Sequence, residues 1–158
     1  MSPAEVNAFL VEERVCRLAT VGATGAPNVT PLWFVWDGRS LWLNSTFRSQ
    51  RWRDLERDRR VSVVVDAGEE FTELRGVELS GEVVVASEVP RTTQPRPELA
   101  DVERQYAWKY AGVPDFVPDG RHAWLRLTPT RLVSWDFRKS EGLSPRRVLG
   151  SEPGRSLT

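Results

Sequence analysis

The sequence is poor in the residues on which most enzymes rely. It contains one cysteine, Cys16, and one histidine, His122, among 158 residues. A single cysteine excludes an internal disulfide and fits a reducing cytoplasm, where we expect the protein to be located. We predict no metal site, because zinc centres use three or four nitrogen or sulfur ligands.

Long apolar runs and an excess of one charge are lacking as well. No segment approaches the roughly 20 apolar residues of a membrane span, and no signal peptide is evident. Lysine plus arginine and aspartate plus glutamate both number 22. With no net charge to attract nucleic acid or an anionic membrane, we expect neither as a partner.

Catalytic motifs are also absent. There is no G-x-S-x-G elbow, P-loop or G-x-G-x-x-G turn. His122 begins a predicted strand without an obvious triad, and we interpret it as a histidine bonded to backbone or water rather than a catalytic base. No catalytic side chain is assigned, because an enzyme with so few reactive groups usually leaves the chemistry to a cofactor. Tyr106, Tyr110 and a bound water are the candidates for any proton donor.

The residues that are present predict a mainly β domain. Seven short strands at hairpin spacing, with helices between them, favour a closed or partly open antiparallel barrel with flanking helices. The predicted strands are Val15–Val21, Asn28–Trp36, Ser40–Asn44, Val61–Ala67, Leu74–Ala86, His122–Leu127 and Arg131–Phe137. The predicted helices are Ser2–Glu13, Gln50–Arg57 and Glu98–Ala111. We assign residues 1–137 to this domain and residues 138–158 to a basic C-terminal segment that we expect to be flexible in isolation.

Proline and glycine mark irregular points in these strands. Pro31 lies inside the second strand and cannot donate to a β-ladder, which predicts an edge position or a bulge. Gly76 and Gly81 predict bends or bulges in the fifth strand.

The segment from Ser45 to Arg51 leads from a strand into a basic helix. Ser45, Thr46 and Ser49 offer hydroxyl groups, while Arg48 and Arg51 offer charge-assisted hydrogen bonds. Together with the free N–H groups of a helix start, they are suited to a phosphate. An ordinary solvated basic helix with a serine cap is the other interpretation, and the loop alone does not decide between them.

Tryptophan is abundant, with seven in the chain. Its indole N–H needs a partner when buried, and the residue is enriched at interfaces and ring-binding pockets. We predict that Trp33 or Trp135 borders an interface or a planar ligand.

Several of these segments are familiar in combination. They are the L-A-T strand, the G-x-P-x-x-x-P-x-W-F strand, the S-x-R-x-x-x-L helix and the R-V-S-V-V-V-D strand. In this order, over roughly Phe9 to Phe137, the chain resembles the pyridoxamine 5′-phosphate oxidase-like superfamily of FMN-binding split barrels. Within it, the chain resembles the flavin- and deazaflavin-dependent oxidoreductases. The resemblance implies a split antiparallel β-barrel, a homodimer and two cofactor sites at the subunit interface.

The resemblance also implies where the cofactor lies. The ring would follow the strand from Asn28 to Trp33, the phosphate would lie by Ser45 to Arg51, and the partner's last strands would close the site. The implied cofactor-binding residues are Asn28, Thr30, Pro31, Leu32, Trp33, Ser45, Thr46, Arg48, Ser49, Gln50, Arg51 and Trp135. Arg51 stands where lysine is common, which keeps the charge but changes its geometry.

The implied activity is hydride transfer between coenzyme F420 or FMN and a small unsaturated organic substrate. The segment from Arg48 to Arg60 has six arginines against three carboxylates, which favours F420 with its polyanionic tail. The alternatives are an FMN-dependent reductase or oxidase, and a flavin-binding protein without turnover. A true pyridoxamine phosphate oxidase is disfavoured, because no second basic cluster for its substrate's phosphate is evident.

Overall fold

A computed structural model describes residues 1–139 of the chain. Residues 140–158, which make up most of the predicted basic segment, lie outside the described residues, so the boundary after residue 137 stays a prediction. Within the described part, no helix is both long enough and apolar enough to span a membrane.

The described residues form seven strands and three α-helices. The strands are β1 (Val15–Val21), β2 (Pro27–Trp36), β3 (Leu41–Thr46), β4 (Arg60–Ala67), β5 (Arg75–Val85), β6 (His122–Leu127) and β7 (Arg131–Asp136). The helices are α1 (Pro3–Glu12), α2 (Gln50–Arg57) and α3 (Ala100–Ala111), with short 3-10 turns at Phe71–Glu73, Pro97–Leu99 and Phe137–Lys139.

Six of the strands close into an antiparallel barrel. Their order is β4-β1-β2-β3-β6-β5, and pairing of β4 with β5 closes the ring. Strand β7 lies outside this ring and pairs with the first half of β5. The predicted split β-barrel with flanking helices is therefore confirmed.

Strand β2 is shared between two neighbours, and this division exposes the region of the site. Its first part, Pro27 to Trp33, pairs with β1, whereas only Phe34 to Trp36 pair with β3. Pro31 lies opposite Arg17 and has no strand on its other side. The predicted edge position of Pro31 is confirmed, and this half of β2 is open to a ligand on one side.

Bends or bulges were predicted at the two glycines of β5, and the ladder with β4 has no bulge at either. Pairing of β4 with β5 runs from Arg60 opposite Glu82 to Ala67 opposite Arg75 without a skipped residue. Gly76 is needed for another reason: a Cβ there would lie 2.3 Å from a ring carbon of Trp135. The indole thus packs directly on the backbone. Gly81 lies where β5 changes partner from β7 to β6, which agrees with the predicted bend.

Two apolar clusters hold the helices on the barrel. Helix α1 begins with a capping box, in which the Ser2 hydroxyl accepts from the Glu5 N–H and the Glu5 carboxylate accepts from the Ser2 N–H. Its buried face joins the barrel core. A smaller cluster packs against α3 on the outside of the barrel, and its buried members are Val35, Trp42, Leu99, Val102 and Trp124. This second cluster brings the tyrosines of α3 to the open part of β2.

Candidate functional site

Arg51 of α2 lies inside the protein, where it connects α2 to two strands. Its side chain is 9% exposed. Nε and Nη2 donate to the Ser45 hydroxyl at 3.2 and 3.1 Å, and Nη1 donates to the Thr30 hydroxyl at 3.0 Å. Three of the predicted cofactor-binding residues, from β2, β3 and α2, therefore meet at one point.

The partners of Arg51 leave its charge uncompensated. Both hydroxyl groups are neutral, and no carboxylate within residues 1–139 forms an ion pair with the guanidinium. Burial lowers the pKa of Arg51, because desolvation disfavours the charged form. A buried cation is costly unless an anion accompanies it, and a guanidinium matches phosphate geometry well. The cluster of Arg51, Ser45 and Thr30 is suited to an anionic group.

The other loop residues make local contacts. The Ser49 hydroxyl accepts from the Trp52 N–H at 3.1 Å and donates to the Thr46 carbonyl at 2.8 Å, as an ordinary helix cap does. Arg48 is exposed, with its guanidinium 5.3 Å from the centre of the Phe47 ring. Thr46, Arg48 and Ser49 thus lie beside the Arg51 cluster without joining it, and their contacts with a cofactor stay predictions.

Asn28 and Gln50 turn toward a buried carboxylate instead. Asp54 is fully buried and accepts hydrogen bonds from Asn28 and Gln50, both at 2.9 Å, and from Thr20 at 3.1 Å. These bonds, with that from Gln50 contributing most, hold the pKa of Asp54 below its usual range. They fasten α2 to β1 and β2 and so fix the position of Arg51. As cofactor contacts, Asn28 and Gln50 remain predictions.

A cavity of about 360 Å³ opens along the unpaired half of β2. It is lined by Val15, Pro31, Leu32, Trp33, Asn44, Tyr106 and His122. Three of these were predicted to border the ring of a cofactor. Thr30 precedes the cavity residues on β2, and Ser45 follows Asn44 on β3. The cavity and the Arg51 cluster therefore adjoin along the same two strands, as a planar ligand with a phosphate would require.

Trp33 provides a flat wall. It is 50% exposed, and its ring stacks on Tyr110 at a centroid distance of 4.4 Å and an angle of 8°. The Tyr110 hydroxyl accepts from the Phe34 N–H at 3.0 Å and lies within hydrogen-bond distance of the Phe34 and Arg14 carbonyls. Burial raises the pKa of Tyr110 far above its usual range. Tyr110 thus supports Trp33 and does not suit the role of a proton donor.

The ring of His122 is bonded to a carboxylate, so its interpretation as a histidine bonded to backbone or water is wrong. Its Nδ1 lies 2.7 Å from the Asp119 carboxylate, and the ring lines the cavity. The other oxygen of Asp119 accepts from the N–H groups of Arg121 and His122, at 2.9 and 3.1 Å. The sequence carried a signal for this pair, since an aspartate three residues before a histidine at a strand entrance can reach its ring.

Two further polar groups belong to the cavity: Asn44 was not assigned to the site from sequence, and Tyr106 was a candidate proton donor, which stays a prediction. The Asn44 side-chain nitrogen is buried and has no hydrogen-bond partner in the described residues. The Tyr106 hydroxyl makes no hydrogen bond within residues 1–139, and burial raises the pKa of Tyr106. Asn44 would have been detectable as a polar residue at the end of an apolar strand, directly before Ser45.

Trp135 lies elsewhere in its own chain. It belongs to β7, packs on Gly76 of β5, and does not line the cavity. Strands β5, β4 and β1 separate β7 from β2 around the barrel. A contact between Trp135 and a cofactor would therefore have to come from a second subunit.

The family model described as pyridoxamine 5′-phosphate oxidase matches residues 2–136. No curated protein matches the sequence. The conserved hypothetical protein Rv2991 from Mycobacterium tuberculosis is 28% identical with a TM-score of 0.74, and the match covers 100% of this chain and 95% of that one.

Two more distant structures share the fold. One is an F420 reductase that is 22% identical with a TM-score of 0.62, covering 80% of this chain and 94% of that one. The other is an FAD-binding protein from Mesorhizobium loti that is 20% identical with a TM-score of 0.62, covering 85% and 94%. Because the family model spans nearly all of the described residues, the chain belongs to the pyridoxamine 5′-phosphate oxidase family.

Proposed function

We propose that the protein is an oxidoreductase that transfers a hydride between a flavin-type cofactor and a small unsaturated organic substrate. Coenzyme F420 is the first choice of cofactor and FMN the second. The observation that carries this proposal is the buried Arg51, which has hydroxyl partners but no carboxylate and adjoins a cavity of suitable shape. Family membership and the F420 reductase of the same fold support it.

The side chains of the site fit both parts of such a cofactor. Arg51, Ser45 and Thr30 would hold the phosphate through charge-assisted and hydroxyl hydrogen bonds. Leu32 and Trp33 would border the ring. The unpartnered Asn44 amide is suited to a carbonyl oxygen on the ring or the substrate.

The chain's own contribution is binding, orientation and exclusion of water. When bound, the cofactor would donate or accept the hydride. Trp33 stacks on Tyr110, and the Tyr110 hydroxyl is hydrogen-bonded to the backbone, so the orientation of the Trp33 ring is fixed. A fixed Trp33 ring limits the positions that a cofactor ring can take in the cavity. Holding two reacting molecules in one orientation removes much of the entropic barrier to their reaction.

Surface charge supports F420 over FMN. Arg57 and Arg60 form ion pairs with Asp54 and Asp58. Three other arginines of the region, namely Arg48, Arg53 and Arg59, are exposed and form no ion pair within residues 1–139. Exposed cations of this kind, on or beside the helix that carries Arg51, are suited to the polyanionic tail that F420 has and FMN lacks.

We also propose that the site is completed in a cytoplasmic homodimer. Several apolar side chains are exposed on the two regions that would meet, namely Val15, Val29 and Trp33 on β1 and β2, and Leu132 and Val133 on β7. Exposed apolar residues grouped in this way favour an interface. In such a dimer, β7 of one subunit would bring Trp135 toward the cavity of the other.

The test is a titration of cofactor-free protein with F420 and, separately, with FMN, followed by tryptophan fluorescence. We expect saturable F420 binding that is tighter than FMN binding. The Arg51→Met variant removes the charge while keeping most of the volume, and we expect about 100-fold weaker binding, typical of lost hydrogen bonds to a charged group. Arg39→Ala, in the exposed turn between β2 and β3, is the control and should bind normally.

The other outcomes are equally informative. Tighter binding of FMN would change the proposal to an FMN-dependent reductase or oxidase. Cofactor binding without reduction of any conjugated substrate would indicate a binding protein. If neither cofactor binds at micromolar concentration, or if Arg51→Met binds like the wild type, the proposed site is wrong.

A further inference from the structure

The cavity carries three polar groups that the proposed cofactor contacts leave largely unused. His122 comes from the start of β6, Tyr106 from α3 and Asn44 from the end of β3. The Asn44 nitrogen and the Tyr106 hydroxyl have no hydrogen-bond partner in the described residues. The rest of the lining is apolar and comes from β1 and β2. The polar groups of the cavity thus come from β3, β6 and α3.

His122 is the member of this group whose orientation is fixed. Asp119 lies 2.7 Å from Nδ1, so the proton on that nitrogen is held by the carboxylate and Nε2 is the nitrogen left for a ligand. Asp119 is itself held by two backbone N–H groups of the loop leading into β6. In residues 1–139, Nε2 has no hydrogen-bond partner.

Asp119 uses one carboxylate oxygen for the loop backbone and the other for the His122 ring. The Oδ1 atom of Asp119 already accepts both backbone N–H groups that the turn leaves free, while Oδ2 is used for the histidine. A carboxylate behind an imidazole orients the ring and fixes its tautomer, as it does in metal-ligating and catalytic histidines. The titratable groups around the ring are Asp119 and Arg121 on the loop and Tyr106 on α3.

Reduction of a carbon–carbon double bond by hydride needs such a group. A hydride supplies two electrons and one proton, and the product needs one more proton. A conjugated carbonyl accepts the hydride readily, because the negative charge that develops is placed on its oxygen. Donors fixed in place before the reaction stabilise that charge most effectively.

We propose that His122, positioned by Asp119, donates this proton, and that the substrate is a conjugated carbonyl compound. The inference rests on the proposed function. The flavin-type cofactor would supply the hydride, which forms a C–H bond at the β-carbon while the π electrons move to the carbonyl oxygen. His122 acts as an imidazolium, with Nδ1–H held by Asp119 and the second proton on Nε2. The Nε2–H bond breaks as an O–H bond forms, giving an enol that becomes the saturated carbonyl, and His122, which is 31% exposed, regains a proton from solvent.

Tyr106 and Asn44 have a different role in this arrangement. They line the same cavity as His122 and would hold the carbonyl oxygen through hydrogen bonds. This requirement favours small planar substrates with one carbonyl oxygen, since the cavity of about 360 Å³ also borders the ring of the cofactor.

The first test compares His122→Gln with the wild type, using 2-cyclohexenone as the substrate and whichever reduced cofactor binds more tightly. Glutamine keeps a hydrogen-bonding group but cannot supply an acidic proton. We expect unchanged cofactor binding and about 100-fold slower turnover, at the low end of general acid catalysis. Because the proton comes from His122, the wild-type rate should fall with rising pH, and the variant should lack this fall.

The second test observes His122 directly and does not depend on turnover. Because the chain has one histidine, selective ¹⁵N labelling of histidine gives signals from this ring alone. We expect the neutral ring to carry its proton on Nδ1 in the wild type and to shift toward the Nε2 form in Asp119→Ala. Adding 4-cyanophenol, whose phenolate resembles the enolate, should change the Nε2 signal more than the Nδ1 signal. Asp115→Asn, an exposed aspartate of the same loop, is the control and should behave like the wild type.

These outcomes separate this inference from the proposed function. Absence of cofactor binding in the wild type overturns both. Normal cofactor binding, with equal turnover and equal pH dependence in His122→Gln and the wild type, overturns the role of His122 alone. Wild-type protein that binds cofactor but does not reduce cyclohexenone overturns the substrate class. An Nε2 signal that does not respond to 4-cyanophenol also counts against the proposal.

Discussion

Within residues 1–139, two arginines are buried, and their surroundings in this part of the chain are opposite. Arg51 is 9% exposed and Arg91 is 5% exposed. Arg91 donates to the Glu103 carboxylate at 2.7 and 3.2 Å and to Glu88 at 3.1 Å, and the Thr92 and Gln94 carbonyls accept from it as well. Arg51 donates only to two hydroxyl groups. One guanidinium is neutralised inside the chain, and the other is not.

The difference appears in the direction of the pKa shifts. The Glu103 carboxylate, through its hydrogen bonds, raises the pKa of Arg91, whereas burial lowers the pKa of Arg51. Arg91 joins the proline-rich connector before α3 to α3 itself, where Glu103 also accepts from the Trp124 indole at 3.1 Å. Arg91 therefore serves stability. For Arg51 we propose the opposite, namely a cost in stability that leaves the guanidinium available to an anionic ligand.

The largest expected effect is on Arg91. Arg91→Met leaves Glu103 without its cation in a confined space, while Glu88 keeps its ion pair with Arg96. We expect the free energy of unfolding to fall by about 3–5 kcal/mol. Urea unfolding followed by tryptophan fluorescence measures this. Arg104→Met, at an exposed position on α3, should change stability by less than about 0.5 kcal/mol. A loss below about 1 kcal/mol for Arg91→Met would show that the carboxylate partners of Arg91 do not make it more stabilising than Arg51.

The second prediction makes Arg51 resemble Arg91. Ser45→Asp supplies a carboxylate to Arg51, which should occupy the guanidinium and repel a phosphate. We expect cofactor affinity to fall about 100-fold, or about 2.7 kcal/mol, in the fluorescence titration. Ser45→Asn introduces a side chain of the same size without charge and should lower affinity much less. Equal losses in both variants would assign the effect to size rather than charge.

The third prediction concerns the cost of an unpaired buried cation. In cofactor-free protein, Arg51→Met should raise the free energy of unfolding by about 1 kcal/mol, because a desolvated charge is replaced by an apolar side chain of similar length. Chemical denaturation without cofactor measures this, with Arg53→Met on the exposed face of α2 as the control. Destabilisation of the same size as in Arg91→Met would contradict the comparison.

The smallest expected effect is a dependence on pH. Hydrogen bonding to Arg96 foremost, with the charges of Arg96 and Arg91, lowers the pKa of Glu88 from 4.5 to about 2. Its contribution to stability is therefore complete above the pKa of the unfolded chain and disappears as the pH falls toward 2. Glu88→Gln should have a lower urea midpoint than the wild type at pH 6, and the difference should shrink between pH 4.5 and pH 2.5. A difference that does not change with pH would show that the Glu88 charge contributes nothing.

Local patterns in the sequence predicted the elements of the fold. Alternating apolar residues indicated the strands, and Ser2 with Glu5 indicated the start of the first helix. Pro31 indicated an edge position, because its ring leaves the backbone nitrogen without a hydrogen to donate to a neighbouring strand. The ladder has no bulge at Gly76, where a bend or bulge was expected, since the reason for that glycine is the Trp135 ring packed on it from another strand.

The candidate site was predicted in part. The polar segment from Ser45 to Arg51 was predicted to hold a phosphate, which stays a prediction, but the sequence did not distinguish Arg51, which is buried, from Arg48, which is exposed. The contact of Arg51 with Thr30 spans 21 residues, and no local pattern encodes it. His122 was misread for a related reason, because whether its ring would face a cavity depended on the position of α3.

The sequence by itself determined the strands, the helices, the family resemblance and the segment that could hold a phosphate. These depend on backbone preferences and on side-chain spacing within one element. Only the tertiary structure decided which arginine meets carboxylates and which does not, and which nitrogen of His122 is left for a ligand. The energy of a buried charge depends on the groups within a few ångströms of it. Those groups come from different strands and helices, so their positions are fixed only when the barrel closes.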